Sequence, residues 1–262
     1  RYLDLIERLG VIPAPFGFTN NVSIKLSSLV PKFQWDPIDF DNCVAAVSKK
    51  FREILRAGVR KHVAINVDME QYAVRDLTLA IFKDALNAPE FDSLENAGIV
   101  VQAYLKDSAN SLDDLLAWIK ERNINITVRL VKGAYWDHEV INAEQQGWPI
   151  SVFTDKAETD KQFKLLAEKI LLAQKSGVSV KFAAGSHNID SLSYVIALTR
   201  ELGLDGNKNE IQVLHGMGDH IREAVLGLGF HTRIYTPYGE LVPSMAYLVR
   251  RLLENTSQQS FL

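Results

Sequence analysis

The stretch INITVRLVKGAYW, residues 124–136, decides the fold. Its first eight residues show no helical period. They are β-branched and nearly continuously apolar, as a strand buried on both faces of a parallel sheet has to be. The segment ends in Lys132, Gly133 and two aromatics, so polar chemistry gathers at the C-terminal end of an otherwise buried strand. Six further segments share the form: NVSIKLSSL (Asn21–Leu29), HVAINVDME (His62–Glu70), GIVVQAYL (Gly98–Leu105), VSVKFAAGS (Val178–Ser186), EIQVLHGMG (Glu210–Gly218) and FHTRIYTPYG (Phe230–Gly239). Helical patterns lie between them, among them DNCVAAVSKKFREILRAG, SLDDLLAWIKERN, DKQFKLLAEKILLAQKSG and IDSLSYVIALTRELG. Several of these close on a glycine at the expected C-cap.

Alternating strands and helices leave an open doubly wound sheet or a closed barrel. No Gly-x-Gly-x-x-Gly follows an early strand, which disfavours the dinucleotide-binding sheet. Lys25, Asp68, Gln102, Arg129, Lys132, His187, His215 and Tyr235 sit at strand C-terminal ends, where barrel enzymes build their sites. A single α/β domain over residues 1–262 follows, a (βα)8 TIM-type barrel. Only seven strands are legible, and the chain opens on a helix-like segment, RYLDLIERLG. The expectation is a fragment whose first strand lies upstream, with a loop over Val11–Asn20.

Composition narrows the function. A formal charge of -3 gives no electrostatic footprint for nucleic acid. Cys43 is the sole cysteine, which excludes an intrachain disulfide and a thiolate metal cluster. The six histidines form neither His-x-His nor HExxH, so no metal site is expected. No serine nucleophile elbow and no compelling carboxylate pair appear. No apolar run reaches the roughly 20 residues of a membrane span and the first residues do not resemble a signal peptide, so a soluble protein is expected.

What remains is cations, aromatics and hydrogen-bond donors. Arg129 in a buried strand needs a fixed polar partner; Gly133 offers close backbone approach to a ligand, and Trp136 a cover for a flat ring. The bland alternative is a strand end with a salt bridge and a rim aromatic. Ser186, His187 and Asn188 place three polar groups at another rim. His215, in LHGMG, reads as a hydrogen-bonded core residue. In the last helical segment, AYLVRRLLEN, Tyr247, Arg250, Arg251 and Glu254 follow i, i+3, i+4, i+7 and share one face. Alone this would be the wet face of an amphipathic helix. Two adjacent guanidiniums also match a carboxylate or phosphate.

VRLVKGAYWD, LHGMG, RIYTPYG and AYLVRRLLEN, in this order and at these separations, resemble the proline dehydrogenase barrel, most closely that of bifunctional bacterial proline utilization A proteins. The resemblance implies an FAD enzyme that oxidises L-proline to Δ1-pyrroline-5-carboxylate and passes electrons to a membrane quinone. It further implies a cytoplasmic protein with peripheral contact at the inner membrane, and an aldehyde-dehydrogenase module elsewhere in the full-length protein. By resemblance, Arg250 and Arg251 clamp the proline carboxylate with Lys25, Tyr247 packs on the ring beside Tyr235 and Leu214, and Glu254 holds the cations. The final helix lies over the barrel mouth. Arg129 and Tyr235 are the implied catalytic residues. The implied flavin contacts are Asp68, Gln102, Arg129, Val131, Lys132, Gly133, Ala134, Tyr135 and Trp136. Thr154, Lys156, Ser186, His187, Asn188, Gln212 and Leu214 complete them. Ser186 departs from the family's usual threonine but keeps a hydroxyl.

Two rival readings stay open, a Schiff-base aldolase using Lys132 or Lys25 and an inactive barrel serving as a binding or assembly module. If the arginine pair is the carboxylate clamp, Arg250→Met will raise KM for proline and lower kcat/KM by about 30- to 1000-fold, the loss of one charge-assisted bidentate contact. Steady-state kinetics on flavin-replete protein check this, and unchanged constants return the face to solvent.

Overall fold

Among the described residues, seven short strands, each of five or six residues, form one parallel sheet in which spatial order equals chain order, with helices covering its outer face. The computed structural model describes residues 1–14, 18–32 and 35–239, together with Met245 and Val249. The elements run α1 (Tyr2–Leu9), β1 (Asn20–Ile24), α2 (Phe40–Lys61), β2 (Val63–Val67), α3 (Arg75–Leu86), β3 (Ala97–Gln102), α4 (Ser108–Arg122) and β4 (Ile126–Val131). They continue with α5 (Trp136–Gln146), α6 (Lys156–Lys175), β5 (Val180–Gly185), α7 (Ile189–Glu201), β6 (Asn209–Leu214), α8 (Asp219–Gly227) and β7 (His231–Tyr235). All seven strands read from the sequence are present.

The sheet curls as in a TIM-type α/β barrel. Among the described residues β1 and β7 do not pair with each other. Side chains draw their edges together instead. Arg233 Nη1 donates to the Thr19 carbonyl at 3.2 Å, and the Phe18 ring meets His231 edge-on with centroids 3.9 Å apart. Burial there pulls the His231 imidazole below its ordinary pKa.

The main core lies between the sheet and its helices. Phe51 of α2, Phe82 of α3 and Phe163 of α6 are fully buried against strands built from Val, Ile and Ala. Each such phenyl contributes about 2–3 kcal/mol by leaving water.

Glycine caps were expected at several helix ends. Gly177 (φ 91) and Gly203 (φ 67) fulfil this, one residue beyond the C-caps of α6 and α7. Gly58 does not. It lies inside α2, which continues to Lys61 and ends on His62 in the left-handed region (φ 53). Gly58 answers packing, since a Cβ there would come within 2.8 Å of the Val63 carbonyl oxygen. Gly10, closing α1, keeps a right-handed conformation (φ -65). Among the described residues no helix is long and apolar enough to cross a membrane.

Strand β3 is buried along its whole length. A Cβ on Gly98 would meet the Asn66 side chain of β2 and lie 3.0 Å from the Thr127 carbonyl oxygen of β4. Gly98→Ala will therefore destabilise the fold by about 1–3 kcal/mol through overpacking. Urea unfolding followed by circular dichroism checks this; an unshifted midpoint would show that the neighbouring strands yield.

Candidate active site

Strand alternation fixes which side chains reach the barrel interior. In β4, Arg129 and Val131 turn inward and border a cavity of about 1200 Å³ at the strand C-terminal ends. Lys132, three residues past Arg129, falls on the opposite face.

The Arg129 side chain is 6 % exposed. Its Nη1 donates to Asp68 Oδ1 at 2.8 Å, and its Nη2 to Ser23 Oγ at 3.1 Å. The guanidinium stands 5.5 Å from the centre of the Tyr235 ring. Tyr235 Oη donates to the other Asp68 oxygen at 2.8 Å. One carboxylate thus ties β4 to β7 across the interior, and it is placed there because the Asp68 amide bonds the Ile24 carbonyl at the end of β1. Removing one member of a buried charge pair typically costs about 3–5 kcal/mol, because the other is left uncompensated.

Lys25 follows β1 directly, and its Nζ donates to Tyr135 Oη at 3.2 Å. Burial opposes its charge, but the Tyr135 phenol and the Glu70 and Asp68 carboxylates outweigh this and hold the ammonium above its ordinary pKa. Gln102, on β3, donates to the Glu70 carbonyl at 3.2 Å. Its Oε1 is buried without a partner among the described residues, as is Arg129 Nε. His187 Nε2 accepts the Leu214 N–H at 2.9 Å, which leaves the proton of the neutral ring on Nδ1.

Of the residues picked out by sequence, Lys25, Asp68, Gln102, Arg129, Tyr235 and Leu214 border the one cavity. So do Val131, Gly133, Ala134, Tyr135, Ser186, His187 and Gln212. Others stand apart from it. Lys132 is buried behind the strand against Asp160, which also bonds Lys156 at 2.7 Å. Trp136 Nε1 donates to the Phe153 carbonyl at 2.8 Å. Asn188 caps α7, accepting the Ser191 N–H at 2.9 Å. Thr154 is exposed. Tyr247, Arg250, Arg251 and Glu254 lie outside the described residues.

One local reading needs correction. His215 is exposed rather than in the core, because LHGMG leaves the sheet at Leu214 and turns through Gly216 (φ 78). Gly133 (φ 145) is required by the protein itself, since a Cβ there would come within 2.5 Å of the fully buried Tyr104 ring. Sequence reasoning missed Ser23, Tyr104 and Asp160. For Ser23 a signal existed, a hydroxyl alternating with Val22 and Ile24 in a buried strand.

A parallel α/β barrel with a buried arginine tied to a half-buried Asp and Tyr inside a large cavity at its strand C-terminal ends has the build of a barrel enzyme. The sequence model of the proline dehydrogenase family matches residues 1–262, and the chain belongs to that family. It is 32% identical over 248 residues to the bifunctional protein PutA of Klebsiella aerogenes, covering 92% of this chain and 18% of that one. Against proline dehydrogenase 2 of Bacillus subtilis the identity is 29% over 242 residues, with 92% and 68% covered. The crystal structure of proline utilization A from Bdellovibrio bacteriovorus inactivated by N-propargylglycine superimposes with a TM-score of 0.92 at 39% identity, covering 99% of this chain and 28% of that one. The chain therefore spans less than a fifth of the length of the bifunctional PutA from Klebsiella.

Asp160 compensates a lysine that is almost completely buried. Burial alone pulls the Lys132 ammonium below its ordinary pKa, and Asp160, shared with Lys156, only partly offsets this. Asp160→Ala will lower stability at pH 7 by about 3 kcal/mol by stranding that charge. The folded state then prefers the neutral amine, so the unfolded chain binds more protons. Stability will recover as pH rises from the lowered folded value towards the unfolded one of about 10.5. Denaturant titrations at pH 7 and pH 9.5 test the sign.

Proposed function

We propose that this chain is the proline-oxidising domain of a bifunctional enzyme of the proline utilization A type, with FAD held in the barrel cavity. The observation that carries it is a pair of side-chain atoms without a partner among the described residues, the Arg129 Nε donor and the Gln102 Oε1 acceptor, on adjacent strands whose Arg129 and Gln102 border one cavity together with Lys25. A flavin ring offers both an acceptor edge and an N–H, so this donor set fits it. Arg129, Gln102, Val131, Tyr135 and His187 would hold it, with Arg129 giving a fixed positive charge where negative charge develops.

When bound, FAD supplies the redox chemistry, accepting a hydride from proline Cδ to give Δ1-pyrroline-5-carboxylate and delivering electrons to a quinone. The protein's part is placement and charge. Lys25, held protonated, would attract the substrate carboxylate together with Arg250 and Arg251. The Tyr235 ring, fixed by Asp68, would border the substrate ring. The amine must be neutral before hydride leaves, and solvent pH sets that state without a dedicated base. In the cell we place the enzyme in the cytoplasm, in peripheral contact with the membrane that holds its quinone. The bifunctional relatives support an aldehyde-dehydrogenase module elsewhere in the full-length protein.

The aldolase alternative needs a neutral lysine at the mouth. Lys25 is shifted the other way, and Lys132 faces Asp160 rather than the cavity. The visible spectrum discriminates: a flavin band near about 450 nm, bleached by proline, supports FAD chemistry. A colourless protein inactivated by borohydride with a carbonyl substrate overturns it.

Arg129→Leu will weaken FAD retention by about tenfold or more, with a smaller effect on binding of a proline analogue, because the lost contacts are charge-assisted and on the cofactor side. Equilibrium dialysis of FAD and reductive titration measure the two effects. Normal occupancy, potential and turnover would make Arg129 a structural cation.

A further inference from the structure

We propose that Tyr2 is a positioning residue for Lys25, acting through the backbone at the end of β1. Its phenol oxygen lies 3.3 Å from the Lys25 amide nitrogen and 3.1 Å from Ser28 Oγ. Ser28 Oγ in turn lies 2.6 Å from the Lys25 carbonyl oxygen. A serine hydroxyl carries one proton and a carbonyl can only accept, which fixes every direction in the network. Ser28 donates to the Lys25 carbonyl, Tyr2 donates to Ser28, and the Lys25 N–H donates to Tyr2. Three hydrogen bonds close a ring around both polar backbone groups of one residue.

That residue stands where the chain leaves β1 in an extended conformation (φ -104, ψ 125) and turns at once into the short 3-10 segment Leu26–Leu29. A lysine carries its charge on a flexible four-carbon stem, so fixing its base removes a large part of the freedom that anion binding would otherwise have to quench. The tip is fixed separately by Tyr135. Tyr2, Lys25 and Ser28 all border the cavity. Tyr2 belongs to α1, outside the sheet, a helix with only Ile6 fully buried whose Leu3, Leu5 and Leu9 also border the cavity; its hydroxyl is what ties that helix to the Lys25 backbone. The inference rests on Lys25 serving the substrate carboxylate, as proposed above.

The test is a double-mutant cycle in the full-length holoenzyme. The probe is tetrahydrofuran-2-carboxylate, in which oxygen replaces the proline N–H, read as a competitive inhibition constant against L-proline. Lys25→Met is expected to weaken the probe by about 30-fold and Tyr2→Phe by about fivefold. The double variant will bind no more weakly than Lys25→Met alone, because Tyr2 acts through Lys25. Ser28→Ala breaks the same ring without touching α1 and will reproduce the Tyr2→Phe effect, including its loss in the Lys25→Met background. Additive losses in the cycle would show that Tyr2 stabilises the fold generally, and would overturn the inference alone. Unchanged binding in Tyr2→Phe and Ser28→Ala would do the same. Unchanged binding in Lys25→Met would overturn both the carboxylate role of Lys25 and the inference built on it.

Discussion

A guanidinium sits inside the barrel, and the architecture around it follows from keeping that charge paired. Arg129 takes one partner from the end of β2, Asp68, and another from β1, Ser23. Asp68 completes its own hydrogen bonding with Tyr235 from β7. A flat sheet would hold β7 three strands away from β4 and five from β2, so these contacts exist only because the sheet curls. Curvature of the backbone and pairing of the charge are therefore one constraint. A buried ion pair is weak evidence for stability, since well-packed apolar residues often do as well.

The two lysines near the strand ends show how environment sorts like residues. Lys25 lies among a phenol and two carboxylates, and its ammonium is strengthened. Lys132 is almost completely buried and shares the Asp160 carboxylate with Lys156, so its ammonium is weakened. The difference originates in the pleat. Arg129 and Lys132 look adjacent in the sequence, but an odd spacing on a strand sends one to the cavity and the other towards the helices.

The strands were legible because each is short, apolar and bounded by polar residues, and nothing in the tertiary structure opposes that pattern. Much of the cavity lining was legible through resemblance, with Arg129, Gln102 and Tyr235 bordering one space. Helix ends were less so. Gly58 resembles a cap in the sequence, but the helix passes through it because β2 packs too closely for a side chain. Gly133 borders the cavity, as its reading as a ligand-approach glycine requires, and it also answers the Tyr104 ring that a Cβ would strike, a contact no local pattern announces. Asp160 was invisible because its partner Lys132 is 28 residues away. Tyr247, Arg250, Arg251 and Glu254 were read from helical spacing and resemblance alone.

Because strand order equals chain order, every ladder in the sheet joins segments that are neighbours along the chain. The polar contacts of the cavity are of another kind. They span 61 residues for Arg129–Asp68, 106 for Arg129–Ser23, 110 for Lys25–Tyr135 and 167 for Tyr235–Asp68. Their loop-closure entropy is recovered only when the sheet comes round. On the ribosome the ladders can form in order of emergence, β1 with β2, then β3, while Asp68 waits for Tyr235 until β7 has appeared. Among the described elements the site is thus completed last, and a nascent chain that stalls before β7 has most of its sheet and no completed cavity.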